Sequence, residues 1–584
     1  MKIERHIFPY FAAAALLLSA ACNKSGTDPE PPGPDDDYPE VGSIEVYKGT
    51  AIGERSNAIG QVTDAVTGQG IEGIPVTDGY TYVYTDKNGV YQFEKTNSNT
   101  NYCRNVYLSI PAEYEIPLDE REMPLFYSTK EFKGKKLNIN DFTLKPLTRD
   151  ENEWTLFAIG DPQCQNDKQV ARYKDETVVD IQGTAADYRN VYCMTLGDVT
   201  FDSVNTWPGM VASMSKVRSG STVIPFFQTI GNHDHNSKAS TAYASLGEFV
   251  KNVGPVDYSF NRGKVHIVSM DDVRVTNKSS NNSPNGATWN YDAGLEDSQW
   301  KWLQRDLETV KDKQDKMIII CMHIPVRAGE SSGGASFNKD KHYADLLQAL
   351  RAFNEAHIMI GHTHYYQNYI HKSYQTKNGK AIYEHIHGAA CGAWWACNST
   401  VNGSPNGYTI YSIKGNTIEN WKAKSTGHPA DFQMRVWDGN QIYTGKKNIE
   451  LKWYDPSQKA SVNNVTVKGL AALKGCFVAE VWDDDDTFWK LEFIQDGAKV
   501  GDFVRVNNGQ CCNVAASAYF FNELSKDTDT WASVTASHYW YFKPVSGDPS
   551  KEKNWIIKAT HTIPGTTVTD VYTAGTLTTT LDVF

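Results

Sequence analysis

Residues 154–163, WTLFAIGDPQ, place an apolar run of strand length directly before a glycine and two side chains that can bind a metal. A similar layout, an apolar run followed by at least one candidate ligand, recurs four times farther along the chain. The later runs end at GD (197–198), GNHD (231–234), H (323) and GHTH (361–364). Polar segments with helical spacing lie between the runs, as in residues 295–310. Alternation of buried strands with helices predicts a layered α/β domain.

The polar side chains that end these five runs are predicted to meet, because ligand sites in open α/β sheets form at the carboxyl ends of strands. Their carboxylate, amide and imidazole groups suit hard or borderline divalent ions. Two such ions ~3.5–4 Å apart can share a carboxylate and clamp both oxygens of a displacement at phosphorus. The candidate site residues are Asp161, Gln163, Asp198, Asn232, His233, His323, His362 and His364.

The five motifs, in their order along the chain, resemble those of the calcineurin-like metallophosphoesterase superfamily over roughly residues 154–370. Each motif alone is weak, but all five at strand ends form a specific pattern. The resemblance implies one metal held by Asp161, Gln163, Asp198 and His364, and a second held by Asp198, Asn232, His323 and His362. It also implies a metal-bound hydroxide as nucleophile and His233 as general acid. The adjacent Asp234 is the natural candidate to orient the His233 imidazole.

Two positions depart from the usual pattern of this family. Gln163 stands where most members have histidine, and its neutral carbonyl oxygen should hold the first metal less tightly and favour harder ions. Phe201 stands where purple acid phosphatases have a tyrosine ligand, so an iron–tyrosinate centre is not expected. Asp202, one place farther on, is either a neighbour of the site or a simple loop acid. The expected cofactors are two divalent ions, Mn, Fe or Zn, with Mn slightly favoured because Gln163 also occurs in manganese-using branches.

A β-rich region is predicted on each side of the central domain. Short alternating runs between Gly and Asn/Asp turns predict a β-sandwich at residues 42–147, and residues 60–91 within it resemble carboxypeptidase-regulatory-like modules. Residues 385–584 return to short strands and predict a second all-β domain, which leaves residues 150–384 to the metallophosphoesterase domain. The predicted fold is therefore a central α/β sandwich, with β-sheets flanked by helices, between two all-β domains.

Residues 1–22 predict an export signal. A positively charged start precedes an apolar run shorter than the ~20 residues that a membrane span needs. The run ends in LSAAC (18–22), which resembles a bacterial lipobox with Ser19 in the place of the usual leucine. Ordinary signal cleavage, which would leave a soluble periplasmic protein, is the alternative. We expect acylation of Cys22, a disordered linker at residues 23–41, and lipid anchoring in the bacterial envelope, on the periplasmic or cell-surface face of the outer membrane.

Composition limits the partners of this protein. The formal charge is −12 and no long basic run occurs, which argues against a broad nucleic-acid-binding surface. A phosphate-ester substrate remains compatible because bound cations would supply local positive charge. The predicted function is an exported phosphoesterase that acts on phosphate mono- or diesters. The alternative is a cell-surface lipoprotein that binds glycans or envelope polymers through β-domains and carries a weakened hydrolase domain.

Some residues outside the motifs leave two interpretations open. The tryptophans at 394–395 could line the substrate cleft or pack a domain interface, and packing is the preferred interpretation. His385 and His387 alternate on a predicted strand and could point toward the site, although the interpretation that they do not is favoured. Cys391 and Cys397 are the nearest plausible disulfide pair.

Overall fold

A computed structural model describes residues 38–584 with short gaps. The gaps are residues 95, 97–102, 133–135, 203, 237–238, 240–241, 276–290, 328–336, 445–448, 461–463, 484, 486–487, 508, 527, 529–530, 532 and 564–568. The predicted export signal, Cys22 and nearly all of the predicted linker lie outside the described residues. Within the described part of the chain, no helix has the length and apolarity to cross a bilayer.

The N-terminal region is a small β-structure. Its strands are β1 (Val46–Tyr47), β2 (Thr50–Ala51), β3 (Ala58–Asp64), β4 (Pro75–Thr77), β5 (Tyr82–Tyr84), β6 (Val90–Phe93), β7 (Tyr107–Leu108), β8 (Asn138–Ile139) and β9 (Phe142–Leu144). One sheet contains β3, β6, β8 and β9, and another contains β4, β5 and β7. The turn between β5 and β6 forms because the Asp86 carboxylate accepts hydrogen bonds from the N–H groups of Asn88 and Val90.

The central region alternates strands and helices. Its strands are β10 (Glu153–Ile159), β11 (Val191–Leu196), β12 (Arg218–Ser219), β13 (Thr222–Val223), β14 (Phe226–Thr229), β15 (Tyr258–Arg262), β16 (Val265–Ser269), β17 (Val273–Val275), β18 (Tyr291–Ala293), β19 (Met317–Cys321), β20 (Glu355–Ile360), β21 (Gln367–Gln375), β22 (Ala381–Ile386), β23 (Gly407–Lys414) and β24 (Thr417–Ser425). Its helices are α1 (Asp167–Arg172), α2 (Val179–Thr184), α3 (Trp207–Met214), α4 (Ala242–Ser245), α5 (Gly247–Val253), α6 (Asp297–Thr309) and α7 (Tyr343–Leu350). A π-helical segment, Tyr173–Val178, joins α1 to α2, and short 3₁₀ turns occur at Ala185–Asp187, Val204–Thr206, Lys313–Asp315 and Phe337–Lys339.

Two sheets face each other in this region. Their strand orders are β14-β11-β10-β23-β24 and β15-β16-β19-β20-β22-β21. In the first sheet β10, β11 and β14 run parallel, and in the second β16, β19, β20 and β22 do. Every residue of β11, β19 and β20 is buried, as expected for parallel strands that are covered on both faces. The predicted α/β sandwich between β-rich regions is confirmed.

Helix α6 shows how the local sequence sets the packing against the second sheet. Glu296 and Gln299 form a capping box that starts the helix, and Leu303 and Leu307 are buried on its inner face. In the structure Trp302 is the buried tryptophan, whereas Trp300 is half-buried and stacks on a histidine side chain.

The predicted domain boundary at 384/385 does not coincide with the end of the first sheet. Strands β23 and β24 follow that boundary, yet β23 pairs antiparallel with β10 from Glu153↔Lys414 to Ala158↔Thr409. Short strands show the same alternation in either domain, so their pattern does not reveal which sheet they join. The sheet structure of the central region therefore extends to Ser425.

The C-terminal region is β-rich and also contains one helix among its described residues. Its strands are β25 (Met434–Asp438), β26 (Ile442–Thr444), β27 (Glu450–Lys452), β28 (Gln458–Lys459), β29 (Thr466–Val467), β30 (Phe477–Val481), β31 (Trp489–Gln495), β32 (Ala498–Asp502), β33 (Val504–Arg505), β34 (Cys511–Cys512), β35 (Thr535–Ala536), β36 (Tyr539–Phe542), β37 (Trp555–Thr562) and β38 (Thr569–Ala574). Short 3₁₀ turns lie at Ala471–Leu473 and Pro549–Lys551, and the helix is α8 (Val514–Asn522). The Asn513 side chain caps α8, so the expectation of an all-β region holds except for this helix.

The cysteines form no disulfide in the described part of the chain. All nine of them there are free and buried. The Sγ of Cys391 lies 3.6 Å from the carbonyl oxygen of Gly392, and that of Cys397 lies 3.5 Å from the carbonyl oxygen of Ser399. The pair considered from the sequence, Cys391 with Cys397, is therefore not joined, and both side chains act as small buried groups.

Candidate metal centre

The five predicted clusters lie at the carboxyl ends of five strands in the two facing sheets. Asp161 and Gln163 follow β10, Asp198 follows β11, Asn232 and His233 follow β14, His323 follows β19, and His362 and His364 follow β20. All of these residues are buried except His233, which is half-buried. Ligand atoms of Asp198, His323 and His362 lie within 4.8 Å of one another, so this group could hold a metal ion.

The carboxylate of Asp198 lies at the middle of the cluster. Its Oδ2 accepts a hydrogen bond of 2.7 Å from Nε2 of Gln163 and lies 3.2 Å from Nε2 of His323. Its Oδ1 accepts a 2.8 Å hydrogen bond from the backbone N–H of His233. Asp198 thus contacts residues of both proposed ligand sets, as a bridging carboxylate must.

The imidazole of His323 is oriented for binding through Nε2. Its Nδ1 donates to the carbonyl oxygen of Leu196 at 2.8 Å, which leaves the lone pair of the neutral ring on Nε2. Nε2 lies 3.1 Å from Oδ1 of Asn232 and 3.2 Å from Nδ1 of His362. Oxygens of Asp198 and Asn232 and a nitrogen of His362 therefore all lie within 3.2 Å of His323 Nε2, and a divalent cation satisfies such a donor set.

Asp161 and Gln163 supply the second half of the cluster. The Asp161 carboxylate accepts hydrogen bonds from the backbone N–H of His362 at 3.1 and 3.0 Å, and lies 3.6 Å from Nε2 of His364. Oε1 of Gln163 is buried and has no hydrogen-bond partner among the described residues. A buried carbonyl oxygen in that state is costly, and a bound cation would satisfy it. The residues present therefore fit a metal.

The ligand loops are held in an unusual backbone conformation. Positive φ angles occur at Asp161 (42°), Gln163 (42°), Asp198 (49°), His362 (71°) and His364 (69°). Each such residue costs roughly 1–3 kcal/mol, and strain of this kind concentrates at functional sites. Adjacent glycines permit the close approach, since a Cβ on Gly197 would lie 2.4 Å from Nδ1 of His323 and one on Gly361 would lie 2.6 Å from the Leu196 carbonyl oxygen.

Burial and mutual charge set the protonation of the cluster. Burial would raise the pKa of the Asp198 carboxyl. The imidazoles of His323 and His233 outweigh this effect and hold that pKa below its usual value. Against the effect of burial, the Asp198 carboxylate raises the pKa of His323 to about 10. Burial lowers the pKa of His362 to about 3 and that of His364 to about 4. A cation competes with the proton on His323, so metal binding should release a proton.

His233 is held by two residues that follow Asp198 in sequence. Its Nδ1 lies 3.0 Å from Oδ1 of Asp202, and its ring stacks on Phe201 with centroids 4.2 Å apart. The sequence left Asp202 open between a loop acid and a neighbour of the site, and the structure places it beside the site. Although burial alone would lower it, the pKa of His233 is raised by the Asp198 and Asp202 carboxylates.

Asp234 does not orient His233, contrary to the expectation from the sequence. Its carboxylate accepts hydrogen bonds from the backbone N–H groups of Val199 (3.1 Å), Thr200 (2.8 Å) and Gly231 (2.9 Å). The side chain is directed into the protein, where it ties the loop after β11 to the loop after β14. Burial raises its pKa to about 6. Adjacency in sequence suggested the wrong partner because consecutive residues of a tight turn point in different directions.

The two adjacent tryptophans have different surroundings. Trp395 is buried, and its Nε1 donates a 2.8 Å hydrogen bond to the carbonyl oxygen of Pro162. The Arg172 guanidinium covers the Trp395 ring and donates to its carbonyl oxygen at 2.6 Å. Trp394 is half-buried, and its ring centroid lies 5.2 Å from that of His364. Trp395 therefore has a packing role, whereas Trp394 lies beside the metal cluster.

The side chains of His385 and His387 form hydrogen bonds to groups outside the proposed ligand set. Nε2 of His385 is 2.9 Å from Nδ1 of His357. Nδ1 of His387 donates to the carbonyl oxygen of Ile360 at 2.8 Å, and its Nε2 lies 2.9 Å from the hydroxyl of Tyr411. Both rings are buried, and none of their hydrogen-bond partners is a proposed metal ligand.

The fold and the ligand cluster together define a metal-binding enzyme of the α/β sandwich class. Three family models match consecutive parts of the chain: the N terminal of Calcineurin-like phosphoesterase (residues 56–147), Calcineurin-like phosphoesterase (155–366) and the C terminal of Calcineurin-like phosphoesterase (384–564). The chain belongs to the calcineurin-like phosphoesterase family. It is a hydrolase that acts on phosphoric ester bonds and uses divalent metal ions. No curated protein matches the chain closely.

Proposed function

We propose that the protein is an exported phosphoesterase that hydrolyses phosphate mono- or diesters at a dimetal centre around Asp198. The observation that carries the proposal is the convergence of Asp198, His323 and His362 within 4.8 Å at the ends of strands from both sheets. The buried Oε1 of Gln163 beside them supports a cation in the same place. A domain that only binds glycans or envelope polymers would not need such a cluster of metal ligands.

The ligand assignment follows the family motifs. One metal would be held by Asp161, Gln163, Asp198 and His364, and the other by Asp198, Asn232, His323 and His362. When bound, the metals would supply positive charge that polarises the phosphoryl oxygens and acidifies water near neutral pH. We favour Mn over Fe and Zn because the amide oxygen of Gln163 is a harder ligand than the imidazole usual at this position.

His233 is the candidate general acid. With Asp202 at Nδ1, the other ring nitrogen, Nε2, is the atom that can donate a proton to the departing oxygen of the ester. Phe201 packs against the face of the ring and limits its rotation. The residue is half-buried and so can reach a substrate bound at the cluster.

The Asp198→Asn variant tests the proposal, and Asp312→Asn is its matched control. Asp312 has the same left-handed backbone as Asp198 (φ 51° against 49°) but is exposed on the surface. We expect Asp198→Asn to lose bound metal, measured by mass spectrometry, and to lose more than about 100-fold in kcat/KM for an aryl phosphate with Mn²⁺. The control should retain both. Unchanged hydrolysis in Asp198→Asn would contradict the proposal and favour the polymer-binding alternative.

Export and lipid anchoring are proposed from the sequence of residues 1–22 alone. Cys22→Ser should abolish the incorporation of labelled fatty acid and move the protein from the membrane fraction to the soluble periplasmic fraction. Cys103→Ser is the control, because that cysteine is buried in the folded protein. Fractionation that is the same for wild type and Cys22→Ser would reject the lipid anchor.

A further inference from the structure

An indole pair lies directly beside the metal cluster. The Trp394 ring centroid is 5.2 Å from that of His364 and 5.2 Å from that of Trp531. Both tryptophans are half-buried, so each residue keeps some solvent-accessible surface. The pair therefore combines partial exposure with contact to a proposed metal ligand.

The backbone of Trp394 is strained to hold the ring in this position. Its φ is 48°, and that of Trp395 is 61°. Bulky residues rarely adopt this conformation, and they persist in it only where the surroundings fix the chain. Here the Trp395 side chain is fixed by Pro162 and Arg172. Interior packing does not account for the strain at Trp394, because its own ring is not buried.

Trp531 belongs to the C-terminal region. Its ring packs edge-on against Phe520 of α8, with centroids 5.5 Å apart, and Nζ of Lys526 lies 5.2 Å from its centroid. These contacts hold the indole against Trp394. The C-terminal region thus places an aromatic side chain against Trp394, which itself contacts the proposed ligand His364.

We propose that Trp394 and Trp531 form a stacking subsite for the organic group of the substrate. This inference rests on the proposed phosphoesterase function and deepens it: the preferred substrates are phosphate esters whose organic group presents a flat ring face. A nucleobase and a sugar ring share this chemistry, since each can lie against an indole. The metal centre would recognise only the phosphate group of a substrate. The indole pair would therefore distinguish esters whose organic group has a ring from acyclic esters.

The test compares the binding of two unreactive phosphate analogues to the full chain loaded with Mn²⁺. Phenylphosphonate carries a ring and methylphosphonate does not, and calorimetry gives the ratio of their dissociation constants. We expect wild type to bind phenylphosphonate about tenfold more tightly. Trp394→Ala should bring the ratio close to one, and Trp394→Phe should retain most of it. Trp300→Ala is the matched control, because Trp300 is also half-buried and stacks on a histidine at 5.3 Å.

Trp531→Ala provides a second variant that removes no contact with a proposed metal ligand. It should also lower the binding ratio while metal content stays at the wild-type level. A ratio unchanged in both alanine variants, or no binding of either phosphonate to wild type, would overturn the subsite. Turnover of phosphate esters by the same preparations is scored separately. A tryptophan-dependent ratio without any turnover would reject the phosphoesterase proposal and leave the subsite standing.

The two sources of a ring are distinguished by two further ligands. The phosphonate analogues of a nucleoside monophosphate and of a hexose phosphate are compared in wild type and Trp394→Ala. The analogue whose affinity falls more in the variant identifies the ring that stacks on the indole pair. Equal affinities in wild type and variant for both analogues would count against the subsite, as the phenylphosphonate result would.

Discussion

At the scale of single residues, the two ends of the Gln163 amide have different surroundings. Nε2 donates to the Asp198 carboxylate, whereas Oε1 is buried without a hydrogen-bond partner among the described residues. The amide is therefore oriented with its oxygen available to a cation. Because a carbonyl oxygen is a weaker ligand for borderline ions than imidazole, the metal position that includes Gln163 should be the weaker of the two.

Gln163→His should tighten that metal position. The imidazole adds a nitrogen ligand, and we expect the apparent affinity for the more weakly held Zn²⁺ to rise about tenfold, measured by competition with a chelator. Gln314→His, at an exposed position, is the control for adding a histidine to the surface. Weaker Zn²⁺ binding in Gln163→His than in wild type would show that the hydrogen bond to Asp198 matters more than the identity of the ligand.

Asp202 positions His233, and its charge should matter most when the departing oxygen is a poor leaving group. Asp202→Asn keeps an oxygen near Nδ1 but removes the charge. We expect kcat to fall roughly 10–100-fold for an alkyl phosphate and much less for nitrophenyl phosphate, whose leaving group needs little protonation. Metal content should not change. An equal loss of kcat for both substrates would argue that Asp202 serves only to stabilise the loop.

The sequence could identify the proposed ligands because motif order and strand ends together specify them. It could not identify the partner of His233. Asp202 and Asp234 are both acids close to the site, and which one faces the imidazole depends on loop geometry. Asp202 itself adopts a left-handed conformation (φ 53°). The periodicity of hydrophobic residues does not reveal a backbone conformation of this kind.

At the scale of elements, the short loop after β10 is supported by a residue more than two hundred positions later in the chain. Pro162 lies between Asp161 and Gln163, and its carbonyl oxygen accepts the hydrogen bond from Nε1 of Trp395. The sequence places these tryptophans after the catalytic motifs but gives no indication of this contact. Contacts of this kind depend on which strands become neighbours in the sheet. The pairing of β23 with β10 could not be predicted from the local sequence pattern for the same reason.

Trp395→Phe should weaken metal binding through this loop. The phenyl ring keeps the stacking with Arg172 but cannot donate to Pro162. We expect about 1 kcal/mol lower stability and roughly tenfold weaker metal affinity, measured by denaturant unfolding and chelator competition. Trp482→Phe is the control, since Nε1 of Trp482 donates to the carbonyl oxygen of Phe432, which is not part of a ligand loop. If both variants bind metal equally well, the loop does not need the hydrogen bond.

At the scale of the whole molecule, the N-terminal and central regions share one hydrophobic core. Tyr107, Ile110 and Phe126 belong to the same buried cluster as Trp154 and Phe260. Ile110 also forms a parallel β-bridge with Phe260. Because the apolar surface of one region is covered by the other, we infer that the two unfold together. The sequence suggested separate domains because its pattern changes from short strands to alternating strands and helices near residue 154. Such a pattern does not reveal buried contacts between the two regions.

Tyr82→Phe tests this cooperativity. The Tyr82 hydroxyl of the N-terminal region donates at 2.7 Å to the buried carboxylate of Asp306 in α6, which also accepts from Ser259 and contacts His266 at 2.8 Å. Removing one donor from a buried carboxylate should cost about 1.5–3 kcal/mol. In calorimetry with and without Mn²⁺, the metal-sensitive transition should shift to lower temperature as one unit. Tyr84→Phe, at an exposed position of the same strand, should leave it in place. A shift confined to a separate, metal-insensitive transition would show that the N-terminal region unfolds independently.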